Sequence, residues 1–189
     1  SLPSLNRCTD IEALKSAYPP PEDIALQNKG NALGKRLDET EAKAKTGAFK
    51  EAIKTAIEVA NDAKQLSYPP LYARALYLHG YYEDMVGNTK TADKLLRSAI
   101  KSASEANDYT LKSSLYIKLV SVLESQARYQ DAREMADLAN AELKGKKQNL
   151  LFEIELLEKR GNISESEGNF EEARKYFEKA LTLYEKNQS

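Results

Sequence analysis

Gly168-Asn169-Phe170-Glu171-Glu172-Ala173 reads as the joint between two antiparallel helices. A glycine that tolerates the left-handed conformation ends one helix, an aromatic opens the next, and a small Ala lets the two approach closely. The same joint recurs upstream as Gly47-Ala48-Phe49-Lys50-Glu51-Ala52, Gly87-Asn88-Thr89-Lys90-Thr91-Ala92 and Ala127-Arg128-Tyr129-Gln130-Asp131-Ala132. In the third copy Ala127 takes the glycine's place, at a small conformational cost. The anchoring residues Ala52, Ala92, Ala132 and Ala173 fall at intervals of 40, 40 and 41 residues. A spacing held over four copies marks a helical repeat.

Downstream of each Ala, small or apolar residues follow at i+4, i+7 and i+8, one stripe per helix. The sets are Ala52, Ala56, Val59, Ala60; Ala92, Leu96, Ala99, Ile100; Ala132, Ala136, Ala139; and Ala173, Phe177, Ala180, Leu181. Twelve residues upstream of the Ala stand Gly80 and Gly161, with Val120 and Thr40 in the other copies. A glycine inside a helix costs about 1 kcal/mol against Ala, and close packing is the usual compensation. The opening helix carries a thin stripe, Leu26, Leu33, Leu37 and Ala44, as terminal repeats often do. The pattern predicts helices near 21–46, 48–66, 70–86, 89–106, 109–126, 129–144, 148–167 and 169–187. Pro21, Pro69 and Pro70 suit helix starts. Thr9-Asp10-Ile11-Glu12 has the form of a capping box and predicts a short helix near 10–17, followed by a stiff Pro19-Pro20-Pro21 joint. Residues 1–20 thus read as a linker and 21–189 as the array, with repeats near 21–67, 68–107, 108–146 and 147–189. No alternation of period two runs far enough to suggest a sheet.

The chain has 189 residues, with 28 Lys and Arg against 29 Asp and Glu, a net charge of -1, one Cys, one His and no Trp. Near-neutral charge gives no bulk electrostatic reason to bind nucleic acid or an anionic membrane. One Cys excludes an internal disulfide and a cysteine-built zinc or iron–sulfur site, and one His excludes a multi-histidine metal site. No apolar run approaches the roughly 18 residues of a membrane span, and no signal peptide opens the chain. The first residue is Ser, not Met, so the sequence reads as a piece of a longer protein. No nucleophile–base set, phosphate loop or metal spacing is present, so neither an enzyme nor a cofactor is expected. Acidic pairs such as Glu171-Glu172 and Glu22-Asp23 read as solvated helix faces. Asn162-Ile163-Ser164 has the form of a glycosylation acceptor but lies within a predicted helix.

The order small residue, Gly, aromatic, Ala, bulky apolar, Ala resembles the tetratricopeptide repeat. Gly161, Gly168, Phe170, Ala173, Phe177 and Ala180 match all six places; Gly80, Gly87, Ala92, Leu96 and Ala99 match five, with Thr89 for the aromatic. The resemblance implies an all-α, right-handed superhelical solenoid of about four helix pairs, in a longer variant than the usual 34-residue repeat. A second resemblance is to bacterial serine/threonine protein kinases of the myxobacterial type. It rests on residues 1–14 (Ser1-Leu2-Pro3-Ser4-Leu5-Asn6-Arg7-Cys8-Thr9-Asp10-Ile11-Glu12-Ala13-Leu14) and on Pro19-Pro20-Pro21-Glu22-Asp23, with echoes at Tyr68-Pro69-Pro70-Leu71 and Gln126-Ala127-Arg128-Tyr129. It implies a kinase domain and a transmembrane helix before residue 1. The chain would then be a non-catalytic sensor or docking region on the periplasmic side of the inner membrane; without that resemblance it would be cytoplasmic.

In tetratricopeptide arrays the first helix of each pair lines a concave groove. The resemblance places Arg74, Tyr77, Tyr81, Asp84 and Met85 there in the second repeat. In the third it places Ser114, Ile117, Ser121, Glu124 and Ser125, with Lys118 beside them. In the fourth it places Glu155, Glu158, Asn162, Glu165 and Ser166. Tyr, Arg and Met favour interfaces, although 11 Tyr also serve ordinary packing. The places that grip a C-terminal carboxylate in such arrays hold Leu37, Glu41, Leu78, Ser114 and Lys118; only Lys118 fits, which excludes a chaperone-tail adaptor. The acidic last repeat favours a basic or polar peptide. Three classes of function follow: a protein- or peptide-binding module, a structural scaffold that self-associates, and an array sensing a small molecule or peptide signal. Cys8 reads as a buried free residue, as a reactive thiol or, from the kinase resemblance, as half of a disulfide to an upstream segment. His79, beside Gly80, reads as a structural histidine with one hydrogen bond or as a pH or ligand contact.

Overall fold

The computed structural model describes residues 18, 19, 21–143 and 150–188. Among them lie eight helices and no strand: α1 (Ile24–Ala44), α2 (Phe49–Gln65), α3 (Pro69–Met85), α4 (Thr89–Glu105), α5 (Tyr109–Ser125), α6 (Tyr129–Leu143), α7 (Leu150–Ser166) and α8 (Phe170–Gln188). Cys8 and the short helix expected near 10–17 lie outside the described residues.

The helix lengths account for the period. α2, α3, α4 and α5 are each 17 residues long, and three residues join each to the next. Two such helices with their two connections make 40 residues. Five of the connections share one geometry. A residue with positive φ follows the helix: Ser67 (50°), Gly87 (86°), Asn107 (53°), Ala127 (56°) and Gly168 (80°). The next N–H then bonds back across the last turn, from Tyr68 to Ala63 O (3.3 Å), Asn88 to Glu83 O (2.8 Å), Asp108 to Ala103 O (3.0 Å), Arg128 to Leu123 O (2.9 Å) and Asn169 to Ser164 O (2.8 Å). These bonds satisfy carbonyls that a helix end leaves open. Ser67 and Asn107 show that the turns between pairs are built like the turns within them.

Helix starts follow local chemistry. Pro69 and Pro70 open α3, where a missing N–H is harmless. Pro21 does not start α1 as expected. The Asp23 carboxylate caps that helix instead, its Oδ1 accepting from the Ala25 N–H (2.7 Å) and the Leu26 N–H (3.3 Å). Asp108 caps α5 in the same way through the Leu111 N–H at 2.9 Å.

Consecutive helices pack in chain order, and α1–α3, α3–α5 and α5–α7 also touch. Among the described residues no two even-numbered helices touch. The odd helices therefore line the inner side of the stack. The core takes in Leu37, Val59, Leu96, Leu115, Leu119, Leu123 and Ile163, all fully buried, each worth about 1.5–3 kcal/mol in apolar burial. Ala52, Ala92, Ala132 and Ala173 are buried as their spacing requires. A Cβ on Gly80 would stand 3.2 Å from Leu96 Cγ, and one on Gly161 would stand 2.5 Å from the Phe177 ring, so both glycines mark close helix approaches. The fourth stripe departs from expectation. Ala173 and Ala180 are buried but Phe177 and Leu181 are not, since among the described residues α8 packs on α7 alone.

Candidate interaction groove

A groove of about 660 Å³ runs along α1, α3 and the start of α5; Gly30, Gly34, Asp38, Glu41, Arg74 and Tyr77 form its walls. Arg74 reaches from α3 to α1, donating to Asp38 Oδ1 at 2.6 Å and to Glu41. Exposed ion pairs add little stability, so the value of this one is positional. It holds α1 and α3 at a set distance. A second recess of about 410 Å³ is lined by Phe49, Tyr77, Leu78, Tyr81, Tyr82 and Met85, with Glu41 at its edge. Its rings pack obliquely. The Tyr77 and Tyr81 centroids are 6.2 Å apart, Tyr81 and Tyr82 meet edge-on at 5.6 Å, and Phe49 lies 6.2 Å from Tyr82.

Burial pushes the Tyr77 phenol up to about 12, with Tyr81, Glu155 and Glu41 adding to the shift. Burial also raises Tyr82 to about 12, with Glu41 and its Tyr neighbours adding. Both hydroxyls are neutral donors at ordinary pH. Because Glu41 belongs to α1 and Glu155 to α7, the field at Tyr77 is acidic from both sides. Glu124 on α5 is raised by burial, against the pull of Lys159.

The structure brings Arg74, Tyr77, Tyr81 and Met85 together at these two recesses. Asp84 and Lys118 pair with each other across α3 and α5 at 2.7 Å, and the Lys118 ammonium also lies 4.4 Å from the Tyr81 centroid. Ser121 and Glu124 are half-buried on α5; on α7 Glu158 is exposed and Asn162 half-buried, and none of the four lines either recess. Ile117 is a correction. It is 2% exposed, because α5 lies mid-array with helices on both sides and takes this apolar side chain into the core. His79 Nε2 lies 3.2 Å from Glu83 Oε1, and burial lowers its pKa despite that carboxylate.

Sequence reasoning missed Asp38, Gly30 and Gly34. The available signal was the pair of glycines four apart inside a helix. A Cβ at either would meet nothing within 4 Å. Each costs about 1 kcal/mol of helix stability with no internal contact in return. Among the described residues no group of three metal-binding side chains occurs, and no helix is long and apolar enough to cross a membrane.

Paired helices at a constant period, with the odd members along one side, define an all-α helical-repeat array. The sequence pattern of the tetratricopeptide repeat family matches residues 154–187, the α7–α8 pair. No curated protein sequence matches the chain. Solved structures share its fold. The nearly identical TPR-like repeats of a Podosopora anserina protein assigned as a kinesin light chain are 14% identical, with a TM-score of 0.66 over 82% of this chain and 76% of that one. Two structures of MamA are 21% and 22% identical, with TM-scores of 0.51 and 0.50. They cover 89% and 84% of this chain and 98% and 95% of their own.

Proposed function

We propose that this chain is a non-catalytic docking module whose odd-numbered helices receive an extended, basic segment of a protein partner. One observation carries the reading. The groove and the aromatic recess share Glu41 and Tyr77 as wall residues, so they adjoin along α1 and α3. Together they offer an apolar anchor site among Phe49, Tyr81 and Met85, and two carboxylates, Asp38 and Glu41, that share the single cation Arg74 and so keep a net negative charge, with Glu155 acting on Tyr77 from α7. Aromatic anchors with a polar rim are how peptide grooves concentrate binding energy. A preformed groove also lowers the ordering cost of the complex. Titration of basic peptides carrying one large apolar residue tests this. Tyr77→Ala and Tyr81→Ala should each weaken binding at least about tenfold with helicity intact. Unchanged affinity in both variants would remove the groove from the reading.

The finer part of the proposal is attachment to a bacterial serine/threonine kinase, for which this region would be the sensor or docking part. Its support is the likeness of residues 1–14 and 19–23 to the segment that leads into such arrays. Reading the gene upstream of Ser1 tests it, and absence of a kinase domain there would end it while leaving the docking module in place.

A further inference from the structure

Lys118 shows how the inner side of the array holds a cation: its ammonium lies 4.4 Å from the Tyr81 centroid and donates to Asp84 at 2.7 Å. A ring face and a carboxylate act on it together. One turn earlier the same two helices repeat part of this arrangement without the lysine. On α3 Tyr77 stands four residues before Tyr81, and on α5 Ser114 stands four before Lys118. Residues four apart share a helix face. Tyr77 and Ser114 both line the 660 Å³ groove, so the space that a lysine stem would fill is open there. The Ser114 hydroxyl is turned to its own helix and donates to Thr110 O at 3.2 Å. Gly80 follows Tyr77 where Asp84 follows Tyr81, so α3 supplies no carboxylate to this turn. The carboxylate comes from α7. Glu155, the counterpart of Ser114 one repeat on, adds to the upward shift of Tyr77, so its charge is felt at that phenol. Glu155 is exposed, and among the described residues no ion pair holds it.

We infer that the groove takes a lysine of the partner segment at Tyr77, with the ammonium over the ring and beside Glu155 and the stem in the gap that Ser114 leaves. This rests on the reading of the groove as a docking surface and names the side chain that it selects. The parts of the site come from α3, α5 and α7, consecutive odd helices, so only a stacked array assembles it. The charge balance favours a cation. Arg74 is spent on Asp38 and Glu41, and Lys118 on Asp84; with Glu155 that makes four carboxylates against two cations. Lys35 faces Glu39 at 4.0 Å, and Lys45 and Asp108, at opposite helix ends, offset each other, so the negative excess stands. The aromatic recess alongside then takes the large apolar side chain of the same segment. Tyr77, a wall of both cavities, lies between the two anchors.

A lysine supplied by the chain itself tests the site without the partner. Ser114→Lys brings an ammonium to the turn that faces Tyr77, and Ser114→Met adds a stem of similar helix propensity without the charge. In urea denaturation of the full chain, Ser114→Lys should raise the folding equilibrium constant at least about threefold over Ser114→Met. Glu155→Gln or Tyr77→Leu should each remove that gain, and salt near 1 M should shrink it. Basic peptides carrying one large apolar residue should bind the parent about tenfold more tightly than the same peptides with norleucine in place of lysine, and Ser114→Lys should abolish the difference. Equal stability of Ser114→Lys and Ser114→Met, or a gain that survives both Glu155→Gln and Tyr77→Leu, overturns the inference. So do peptides that lose nothing with norleucine while Tyr81→Ala still weakens them; docking would then stand on its apolar anchor alone. Peptides that fail to bind at all would overturn the docking reading, and the partner lysine with it, even where Glu155→Gln removes a Ser114→Lys gain.

Discussion

The Lys118 ammonium stands 4.4 Å from the centroid of the Tyr81 ring while it donates to Asp84 Oδ2 at 2.7 Å. One cation thereby ties α5 to two residues of α3 at the edge of the aromatic recess. Both charged side chains are mostly covered, so the pair is worth more than a surface ion pair, and removing one member leaves the other poorly solvated. Lys118→Met keeps the stem and removes the charge. It should cost about 1–2 kcal/mol in urea denaturation, and Asp84→Asn in the same background should recover most of it. Identical midpoints for Lys118→Met and the parent would deny the clamp a structural role.

Gly161 and Phe177 form a close approach between α7 and α8. A methyl group at Gly161 would stand 2.5–2.8 Å from three ring atoms, closer than side chains tolerate. The ring must swing outward. Gly161→Ala should therefore destabilise by about 1–3 kcal/mol despite the better helix propensity of Ala. Combined with Phe177→Leu the penalty should shrink, since the clash is specific to the ring. Additive behaviour of the two changes in a double-mutant cycle would rule that contact out as the cause.

Ala127 sits at φ 56°, the place that Gly87 and Gly168 hold in neighbouring repeats. The left-handed region costs a residue with a Cβ about 1–2 kcal/mol, and glycine nothing comparable. Ala127→Gly should therefore stabilise the protein by about 1 kcal/mol, less the entropy that glycine gains in the unfolded chain. Thermal or urea unfolding reads the sign directly, and a lowered midpoint would contradict the turn geometry.

What was legible in the sequence follows from where packing leaves a repeating mark. Ala52, Ala92, Ala132 and Ala173 occupy equivalent tight contacts, so their interval revealed the stack. Tyr77 and Tyr81 line the aromatic recess because the inner face of a repeat keeps its place in the helix. Ile117 was misplaced by the same rule, since helix position says nothing of how much a mid-array neighbour covers. The flank of α8 was read as core because its apolar residues match those of buried helices; only the absence of a following helix among the described residues exposes them. Gly30 and Gly34 leave no repeating mark, because the opening helix is a polar terminal copy without counterparts at these two places.

His79 supplies a pH dependence. Burial lowers its folded-state pKa below the ordinary 6.5, outweighing the bond to Glu83. On acidification through about pH 6.5 the unfolded chain takes up the proton first, so stability falls as pH falls through that range. Urea midpoints should be lower near pH 5.5 than near pH 7.5, and His79→Gln should flatten the difference. Glu124, raised by burial, acts with the opposite sign in the carboxylate range, so the His79→Gln comparison isolates the histidine. An equal slope in parent and variant would place the effect elsewhere.

Gly34 separates folding from binding. It stands on the wall of the groove, with no atom within 4 Å of where a Cβ would lie. Leucine is a better helix former by close to 1 kcal/mol, so Gly34→Leu should raise stability by roughly that amount. The same side chain would project into the 660 Å³ groove beside Asp38 and narrow the path to Tyr77. Affinity for a groove-binding peptide should fall by at least about tenfold while the melting temperature rises. Gly30→Leu, one turn earlier on the same wall, should act in the same direction. A stabilised variant that binds as tightly as the parent would confine the ligand to the aromatic recess of Phe49, Tyr81 and Met85, and the two glycines would then have no part in recognition.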